Sequence, residues 1–488
     1  MSETGVAASR ADVMPLHTLG RTPVTSRSYR QGRQSMLRLS MDPELRRSDA
    51  GRTLWRAEPF WQLSLSAQQG HMVDRWAAGE PVDASDPARE LAQRLLAAGV
   101  VHPIWQRVPA GPADVTVVIP VRDRAALLES LVAALGDVAE VVIVDDGSRV
   151  PVEGARVRHE HPRGPAAARN AGWRLATTDL VAFVDSDCLP QPGWLDHLVP
   201  HFADPQVAAA APRIVSAAGP SVLARYERTR APHDLGSAPG AVRPRTRVPY
   251  VSSTLLLTRR AALADVGGFS EDMHFGEDLD LVFRLAAAGS VVRYEPSAVA
   301  THLPRTRLKP WMRQRYSYGT TDAPLLSRHP GSMTALTASA WSAAAWSLAA
   351  ARRFRPAGAV ALGSVALTCW QLQGLAPPRE SLRLGGQGHL TAGQHIASAL
   401  SCKWWPISAA AAVLSPSARR VAAAAVLSCY LNEWRECRPQ LGILPWCSLR
   451  LLDDLCYGTG VWAGCIRYRT VAPLVPDLHG LPGLPRRL

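Results

Sequence analysis

The residues best suited to chemistry in this chain are acidic side chains that directly follow apolar runs. Asp185 and Asp187 flank Ser186 immediately after the apolar run 180–184. Two carboxylates at the open end of a sheet form an oxygen-rich site for Mg²⁺ or Mn²⁺, which keeps positions open for phosphate oxygens. Aspartate and serine also favour ordinary turns, so this pattern alone is weak evidence for a metal site.

A second acidic pair, Asp145 and Asp146, follows the apolar run 140–144 and precedes Gly147. A carboxylate at this position can accept a hydrogen bond from the ring N–H of a uracil or from the hydroxyls of a ribose. A plain turn at the end of a strand is an equally good interpretation of these residues.

Glu277 and Asp278 are predicted to open a helix, because an apolar face follows at Leu281, Val282 and Leu285. Acidic residues are common in a first helical turn, where they complement the positive helix end. The functional alternative is a general base that deprotonates an attacking hydroxyl. His302 follows the strand-like segment 290–300 and could be a metal ligand, although a lone histidine is more often structural.

Strands separated by helices must position these groups. The runs 115–121, 140–144 and 180–184 are rich in β-branched and other apolar residues, which indicates strands buried on both faces. Helical segments between them, such as 166–176, predict right-handed βαβ units and a mostly parallel sheet. Ligands of such sheets bind beyond the carboxyl ends of the strands, where the acidic pairs lie. We therefore predict an α/β, Rossmann-like domain.

The regions on either side of this domain differ from it in composition. Helices are predicted at 66–78 and 86–98, the second with an apolar face, after one or two short strands. Ala, Ser, Leu and Trp dominate after residue 331, which favours helices. The predicted division is a flexible tail at 1–36, a small winged-helix-like α+β module at 37–110, the sheet domain at 111–330, an Ala/Trp-rich helical region at 331–470 and an irregular tail at 471–488.

Composition excludes several classes of protein. The 488 residues are 47% hydrophobic and 19% charged, which rules out a wholly disordered chain. The net charge is 54 − 41 = +13, but no basic run is interleaved with aromatic residues, so no nucleic-acid partner is expected. The eight cysteines form no CxxC pair, and no apolar signal segment precedes residue 36. These features predict a cytoplasmic protein.

The order of the motifs resembles that of the family-2 glycosyltransferases, which have the type-A nucleotide-sugar fold. The resemblance covers residues 115–302 and includes the acidic pairs, Gly164-Pro-Ala-Ala-Ala-Arg-Asn170 and Phe275-Gly-Glu-Asp278. It implies Asp278, with Glu277, as the catalytic residues. It also implies Asp185, Asp187 and His302 as ligands of Mg²⁺ or Mn²⁺. The donor-binding residues that it implies are Pro120, Val121, Arg122, Asp145, Asp146, Arg169, Asn170, Asp185, Ser186 and Asp187.

Segments outside the sheet domain resemble the mycofactocin-system glycosyltransferases more narrowly. These segments are 95–103, Arg315-Tyr-Ser-Tyr-Gly319, Arg328-His-Pro-Gly331 and 453–464. The resemblance implies transfer of β-linked glucose from UDP-glucose to a peptide-derived acceptor, the redox cofactor mycofactocin. The N-terminal module is similar to winged-helix domains that hold precursor peptides, so a precursor peptide is a second expected partner. Only Arg313-Gln-Arg-Tyr316 stands where processive enzymes carry QxxRW, which argues against processive synthesis.

Three alternatives stay open at the level of sequence. The acceptor could instead be a cell-envelope glycan or a lipid. A glycoside hydrolase also uses paired carboxylates, but it needs no diphosphate site. A non-enzymatic peptide carrier would use only the N-terminal module.

The helical region raises the question of a membrane. Segment 334–351 is near the lower length limit for a transmembrane helix, but it is poor in Leu and Ile. Crossing would place Arg352, Arg353 and Arg355 outside, against the positive-inside tendency. Attachment to the cytoplasmic face of the membrane is therefore expected rather than crossing, and an Ala-rich bundle packed on the sheet domain is the alternative.

Overall fold

The computed structural model describes residues 37–48, 51–56, 61–83, 85–104, 114–373 and 376–479. The predicted flexible tail at 1–36 lies outside them. A small α+β module comes first. Its elements are β1 (Arg38–Met41), β2 (Arg46–Arg47), β3 (Thr53–Arg56), β4 (Trp61–Ser64), α1 (Ala67–Ala77), α2 (Asp86–Ala97) and β5 (Val101–Ile104).

Each helix of the module has a local reason to form. Ser66 caps α1 by accepting from the Gln69 N–H, and the Ser66 N–H donates back to the Gln69 side chain. The five apolar residues predicted to share one face of α2 are all buried: Ala88, Leu91, Ala92, Leu95 and Leu96. β1 pairs with β5, and β2, β3 and β4 form a second antiparallel sheet. Among the described residues, three strands (β1, β2 and β3) begin within 37–55, where one or two were predicted, and β4 follows them.

An ion-paired cluster fixes the module to the following domain. The Asp42 carboxylate, which is fully buried, contacts His102 at 2.8 Å and Arg247 at 2.6 Å. Burial would raise the pKa of Asp42, but hydrogen bonds from His102 and Arg247 hold it well below its ordinary value. Because Arg247 lies in the sheet domain, this carboxylate joins the two parts of the chain.

The sheet domain alternates strands and helices as predicted. Its elements are β6 (Val115–Val121), α3 (Leu128–Leu135), β7 (Glu140–Asp145), β8 (Val157–Arg158), α4 (Pro165–Trp173), β9 (Leu180–Val184), β10 (Cys188–Pro190), α5 (Trp194–Leu198), β11 (Val207–Ser216), α6 (Val222–Arg230), β12 (Gly240–Ala241), β13 (Leu255–Arg259), α7 (Arg260–Asp265), α8 (Glu277–Ala287) and β14 (Val291–His302).

These nine strands form one mixed sheet with the order β10-β14-β11-β13-β9-β6-β7-β8, and β12 pairs with β14. β6 is parallel to both β7 and β9, which confirms the predicted parallel core. β13 runs antiparallel to β9 and β11, while β11 and β14 are parallel. Six of the strands, β6, β7, β8, β9, β11 and β14, therefore point the same way. Their carboxyl ends meet at one edge of the sheet.

A helical region follows the sheet, as its composition predicts. Its elements are α9 (Leu308–Gly319), α10 (Asp322–Arg328), β15 (Thr337–Ser339), α11 (Ala340–Ala350), α12 (Phe354–Gln371), α13 (Pro378–Ser401), α14 (Trp405–Leu414), α15 (Pro416–Cys437), α16 (Ile443–Tyr468) and β16 (Asp477–His479).

Two details of this region differ from the sequence-based expectation. The tail predicted to be irregular from residue 471 contains β16, which pairs in parallel with β15. Segment 334–351 is not one apolar stretch, because β15 precedes an α11 of only 11 residues. Within residues 37–479, where the structure describes the chain, no helix is both long and apolar enough to span a membrane.

Glycines allow α16 to pack directly on α9. A Cβ atom added at Gly460 would overlap the carbonyl oxygen of Tyr316, and one added at Gly319 would overlap that of Tyr457. Gly319 and Gly460 therefore face each other across a contact with no room for a side chain. This contact explains two segments that the sequence singles out, 315–319 and 453–464, because they form its two sides.

We expect Gly460→Ala to lower the melting temperature by several degrees, because the added methyl group must push two helix backbones apart. Gly358→Ala in α12 is the matched control, since nothing lies within 4 Å of its new methyl group. That variant should be neutral or slightly stabilising, because alanine favours the helix. Thermal unfolding followed by circular dichroism measures both. Equal melting temperatures for the two variants would contradict the close contact.

Candidate active site

Arg169 joins two acidic motifs at the carboxyl edge of the sheet. It lies in α4, and its guanidinium donates to Asp185 Oδ1 and to Glu277 Oε1, each at 2.7 Å. Only 4% of Arg169 is exposed. Burial would lower its pKa, but the charges of Asp185 and Glu277 outweigh burial and raise it. Arg169 is therefore a permanent cation that holds the start of α8 beside the end of β9.

Glu277 and Asp278 lie in the first turn of α8, as predicted, but in different surroundings. Glu277 is 6% exposed and pairs with Arg169. Asp278 is half-buried, and its carboxylate accepts from the backbone N–H groups of Leu279 at 2.8 Å and Ser253 at 3.3 Å. Burial raises the pKa of both carboxyl groups, and the charge of Asp278 adds to the effect on Glu277. Of the two, Asp278 is the one open to a ligand.

The segment after β9 brings Asp187 to the end of β14. The Asp187 carbonyl accepts from the Leu303 N–H at 2.9 Å, and β10 pairs with β14 so that Cys188 lies opposite His302. The Asp187 carboxylate lies 3.7 Å from His302 Nε2 and also pairs with Arg124. Ser186, which lies between the two aspartates in the sequence, is buried, with 8% exposed. The structure thus brings two of the three predicted metal ligands together.

These residues supply ligand atoms that suit a divalent cation, but their arrangement is not a complete coordination site. Asp187 and His302 supply a carboxylate and an imidazole, a donor set that suits Mn²⁺. The predicted third ligand, Asp185, is held by Arg169. Over the part of the chain that the structure describes, no group of three or more His, Cys, Asp or Glu side chains is arranged to hold a metal ion. The metal site stays a prediction.

Asp145 and Asp146 are both buried at the end of β7. Asp145 accepts from the N–H groups of Ser148 at 2.8 Å and Val152 at 3.1 Å, and it pairs with Arg158. Burial would raise the pKa of Asp145, but its hydrogen bonds with Ser148, Val152 and Arg158 lower it. These bonds order the loop after β7.

Asp146 orders the approach to α4. Its carboxylate accepts from the N–H groups of Arg163 at 2.8 Å and Gly164 at 2.9 Å, and it contacts His159 Nδ1 at 2.8 Å. Both aspartates therefore stand where predicted, at the carboxyl edge, and each shapes a loop there. Whether either contacts a nucleoside stays a prediction.

Of the remaining predicted donor-binding residues, some have structural contacts within the sheet domain and one is exposed at its surface. Pro120 and Val121 end β6, and the Val121 carbonyl accepts from the Asp146 N–H at 2.9 Å. Arg122, the next residue, is exposed. Asn170 is 1% exposed, and its side chain accepts from the Phe269 N–H and donates to the Phe269 carbonyl. Asn170 therefore fixes the loop that precedes α8.

A cavity beside His302 contains residues that the sequence did not assign to the site. Its walls include His233 and Tyr318, whose hydroxyl lies 3.2 Å from His233 Nε2. Burial, together with the charges of His302 and Arg315, lowers the pKa of His233 to about 3, so this imidazole is neutral. The segment Arg315-Tyr-Ser-Tyr-Gly319, which contributes Tyr318 to this wall, is one that the sequence analysis singles out. Nothing in the sequence predicts that this segment lies next to His302.

Arg315 is another residue that lines this cavity. It pairs with Glu227 and, through Nε, with Asp453 at 3.1 Å. Trp311 Nε1 donates to Glu227 at 2.7 Å. Burial raises the pKa of Glu227, although Arg315 opposes the effect. The cavity wall therefore includes α9 and depends on α16, so the helical region forms part of the site.

Comparisons with known proteins show to which proteins this chain is similar. The family model for Glycosyl transferase family 2 matches residues 116–267. The pre-mycofactocin glycosyltransferase of Mycobacterium tuberculosis is 39% identical over 470 residues, which cover 90% of this chain and 97% of that protein. A succinoglycan biosynthesis protein of Rhizobium meliloti is 31% identical over 202 residues, 37% of this chain and 59% of that one.

One solved structure to which the chain shows similarity is a mannosyltransferase from Pyrobaculum calidifontis in complex with GDP-Man and Mn²⁺. It has a TM-score of 0.41 and 19% sequence identity, and the match covers 75% of this chain and 90% of that chain.

The sheet with acidic motifs at its carboxyl edge, together with the matching family model, defines a glycosyltransferase enzyme. Since the likeness to the Mycobacterium tuberculosis protein extends over nearly all of both chains, this chain belongs to the family of the pre-mycofactocin glycosyltransferases, within family 2.

The two carboxyl groups at the start of α8 predict the acid side of the pH profile. A base must be ionised to act, and burial raises both pKa values, so kcat/KM should begin to fall at a pH above the ordinary aspartate value of 3.8. Glu277→Gln removes a neighbouring negative charge and should move this fall to lower pH. Circular dichroism at each pH controls for unfolding. A wild-type profile that stays flat down to pH 3.8, the ordinary aspartate value, would contradict the assignment.

Proposed function

We propose that the protein transfers glucose from UDP-glucose to a hydroxyl group of a mycofactocin-type, peptide-derived acceptor and forms a β-linked product. The observation that supports this proposal is the pairing of Arg169 with both Asp185 and Glu277, because Glu277 directly precedes Asp278 and Asp185 belongs to the predicted diphosphate site. The name of the 39%-identical relative supports the acceptor class. The sugar and the linkage rest on family resemblance.

Asp278 acts as the general base in this proposal. Its carboxylate is aligned by the Ser253 and Leu279 N–H groups, and it takes the proton of the acceptor hydroxyl as that oxygen attacks the anomeric carbon. The nucleoside diphosphate leaves from the opposite face, so one displacement inverts the configuration. Glu277 positions Arg169, whose charge favours the ionised form of Asp278.

A divalent cation belongs to the proposal as well. Asp187 and His302, with Asp185, would hold Mg²⁺ or Mn²⁺, and the bound ion would neutralise the charge that develops on the departing diphosphate. Arg124 and Arg169, which pair with the two aspartates, add positive charge at the same edge of the sheet.

Two alternatives differ from the proposal in different ways. A cell-envelope glycan or lipid acceptor would use the same donor chemistry, and only acceptor identity separates it from the proposal. The non-enzymatic peptide carrier is set aside because the chain belongs to a glycosyltransferase family.

We place the enzyme in the cytoplasm, in contact with the inner membrane surface. Exposed apolar side chains on the helical region favour that contact: Trp370 in α12 is 66% exposed and Leu414 in α14 is 84% exposed. None of the residues of α14 is buried. Arg419 and Arg420 follow in α15 and suit anionic lipid headgroups. Sedimentation with membranes that is reversed by high salt is the corresponding measurement.

Asp278→Asn should lower kcat by about 10²- to 10⁴-fold, because the positioned base is lost, while the affinity for UDP-glucose changes little. Asp272→Asn is the matched control: Asp272 lies in the same segment with its side chain 70% exposed, so its activity should stay near the wild-type value. Product formation is followed by mass spectrometry with a peptide-derived acceptor. Near-normal turnover in Asp278→Asn would overturn the base, and turnover with no transfer to any peptide-derived acceptor would overturn the acceptor class.

Chelation of divalent cations should abolish transfer, since the diphosphate would lose its counter-charge. Added Mn²⁺ or Mg²⁺ should restore transfer in the wild type but not in Asp187→Ala. Asp204→Ala, a change in a loop at the opposite edge of the sheet, is the control and should be restored like the wild type. Full activity in excess chelator would remove the metal from the proposal.

A further inference from the structure

A cleft separates the N-terminal module from the amino edge of the central sheet. One wall comes from β1 and β5 and includes His102 and Ile104, and the other comes from α5 and β14 and includes Arg293 and Glu295. Its volume of about 290 Å³ is at the lower end of the range for pockets that hold drug-sized ligands. The Asp42 cluster with His102 and Arg247 holds the two walls together.

Arg293 is unusual among the residues that line this cleft. It is 4% exposed, and its Nε and Nη1 atoms have no hydrogen-bond partner. Among the described residues of the chain, no other side chain has two such buried atoms without a partner. Its strand neighbours on both sides are alanines, Ala210 and Ala241, which cannot accept a bond from it through their side chains. A guanidinium stays protonated, so these donors need an acceptor.

The charges around Arg293 do not meet this need from within the chain. Asp204 acts on it only at a distance, as a favourable charge, while Arg243 opposes it. Glu295, in the same cleft, is engaged by His201 at 3.2 Å and by the Ser297 N–H at 3.0 Å. The unsatisfied guanidinium therefore lines a cleft in which Glu295, on the same strand, is already bonded to other groups.

We propose that this cleft binds an organic carboxylate, such as the end or an acidic side chain of a short peptide, with Arg293 as its anchor. A guanidinium matches a carboxylate in charge and in planar geometry. A single negative charge suits the cleft better than the double charge of phosphate, because Asp196 and Glu295 also line it. Ile104, which is 47% exposed, and the prolines Pro103, Pro200 and Pro239 offer apolar contacts to the rest of such a ligand.

The cleft is separate from the glycosyl-transfer site. Arg293 pairs with Ala210 and His302 pairs with Ser216 of the neighbouring β11, so the two residues lie six positions of that strand apart, which is about 20 Å. A group held at Arg293 is therefore bound, not transformed. The binding of a carboxylate does not rest on the proposed function; only the identification of this ligand with the peptide part of the acceptor would.

The test is a binding titration of the full chain with fluorescent peptides of equal length. One peptide has a free C-terminal carboxylate and no acidic side chain, a second has an amidated C-terminus and one glutamate, and a third is amidated and neutral. Inorganic phosphate serves as competitor. We expect at least one carboxylate peptide to bind 10-fold or more tightly than the neutral peptide, and the first two peptides identify which carboxylate is preferred.

Arg293→Gln should reduce the binding of that carboxylate peptide by 10-fold or more. Because Arg293 is buried and its variant could fail to fold, Ser297→Asp is a second variant, since it adds a negative charge at an exposed position of the cleft and should also weaken binding. Ser297→Ala is its control and should bind normally. Equal binding of neutral and carboxylate peptides, unchanged binding in Ser297→Asp, or stronger binding of phosphate would each overturn the proposal. UDP binding is measured in parallel and should not change, which separates this outcome from a failure of the glycosyltransferase assignment.

Discussion

The site depends on a buried cation placed between carboxylates from different elements. Arg169 reaches from α4 to Asp185 at the end of β9 and to Glu277 at the start of α8. Removing one partner of a buried ion pair leaves an uncompensated charge. Loss of any one of these groups is therefore expected to destabilise the arrangement. The arrangement fixes Asp278 relative to the sheet although α8 follows β9 by almost a hundred residues. It also lowers the cost of keeping Asp278 ionised in a half-buried position.

A second layer of ion pairs connects the helical region to the same edge. Arg315 in α9 contacts Glu227 from α6 and Asp453 from α16, and Tyr226 donates to Asp453 at 2.9 Å. The side-chain-free contact at Gly319 and Gly460 brings α9 and α16 close enough for this network. The helices after residue 331 are therefore a structural part of the enzyme. This conclusion does not depend on whether their exposed apolar side chains contact a membrane.

Local patterns were sufficient to predict the elements that position the site. The strands β6, β7 and β9 follow from continuous apolar runs and the helix α2 follows from its apolar face, because burial selects apolar side chains: nearly all of β6, all of β9 and the whole apolar face of α2 are buried. Periodicity cannot pair residues distant in sequence, so the contact of Arg124 with Asp187 and the cavity wall from His233 to Tyr318 were not foreseen. The short β16 was missed for a related reason: its pairing with β15 depends on a distant partner rather than on its own three residues.

The firm attachment of the N-terminal module has a geometric consequence. Because Asp42, His102 and Arg247 lock the module to the sheet domain, the cleft at one edge of the sheet keeps a fixed spacing from Asp278 at the start of α8. A ligand anchored at Arg293 can present a hydroxyl group to Asp278 only if it is long enough to cover that spacing. In the proposed mechanism, the length of an anchored molecule, and not only its chemistry, would therefore decide whether its hydroxyl group reaches Asp278.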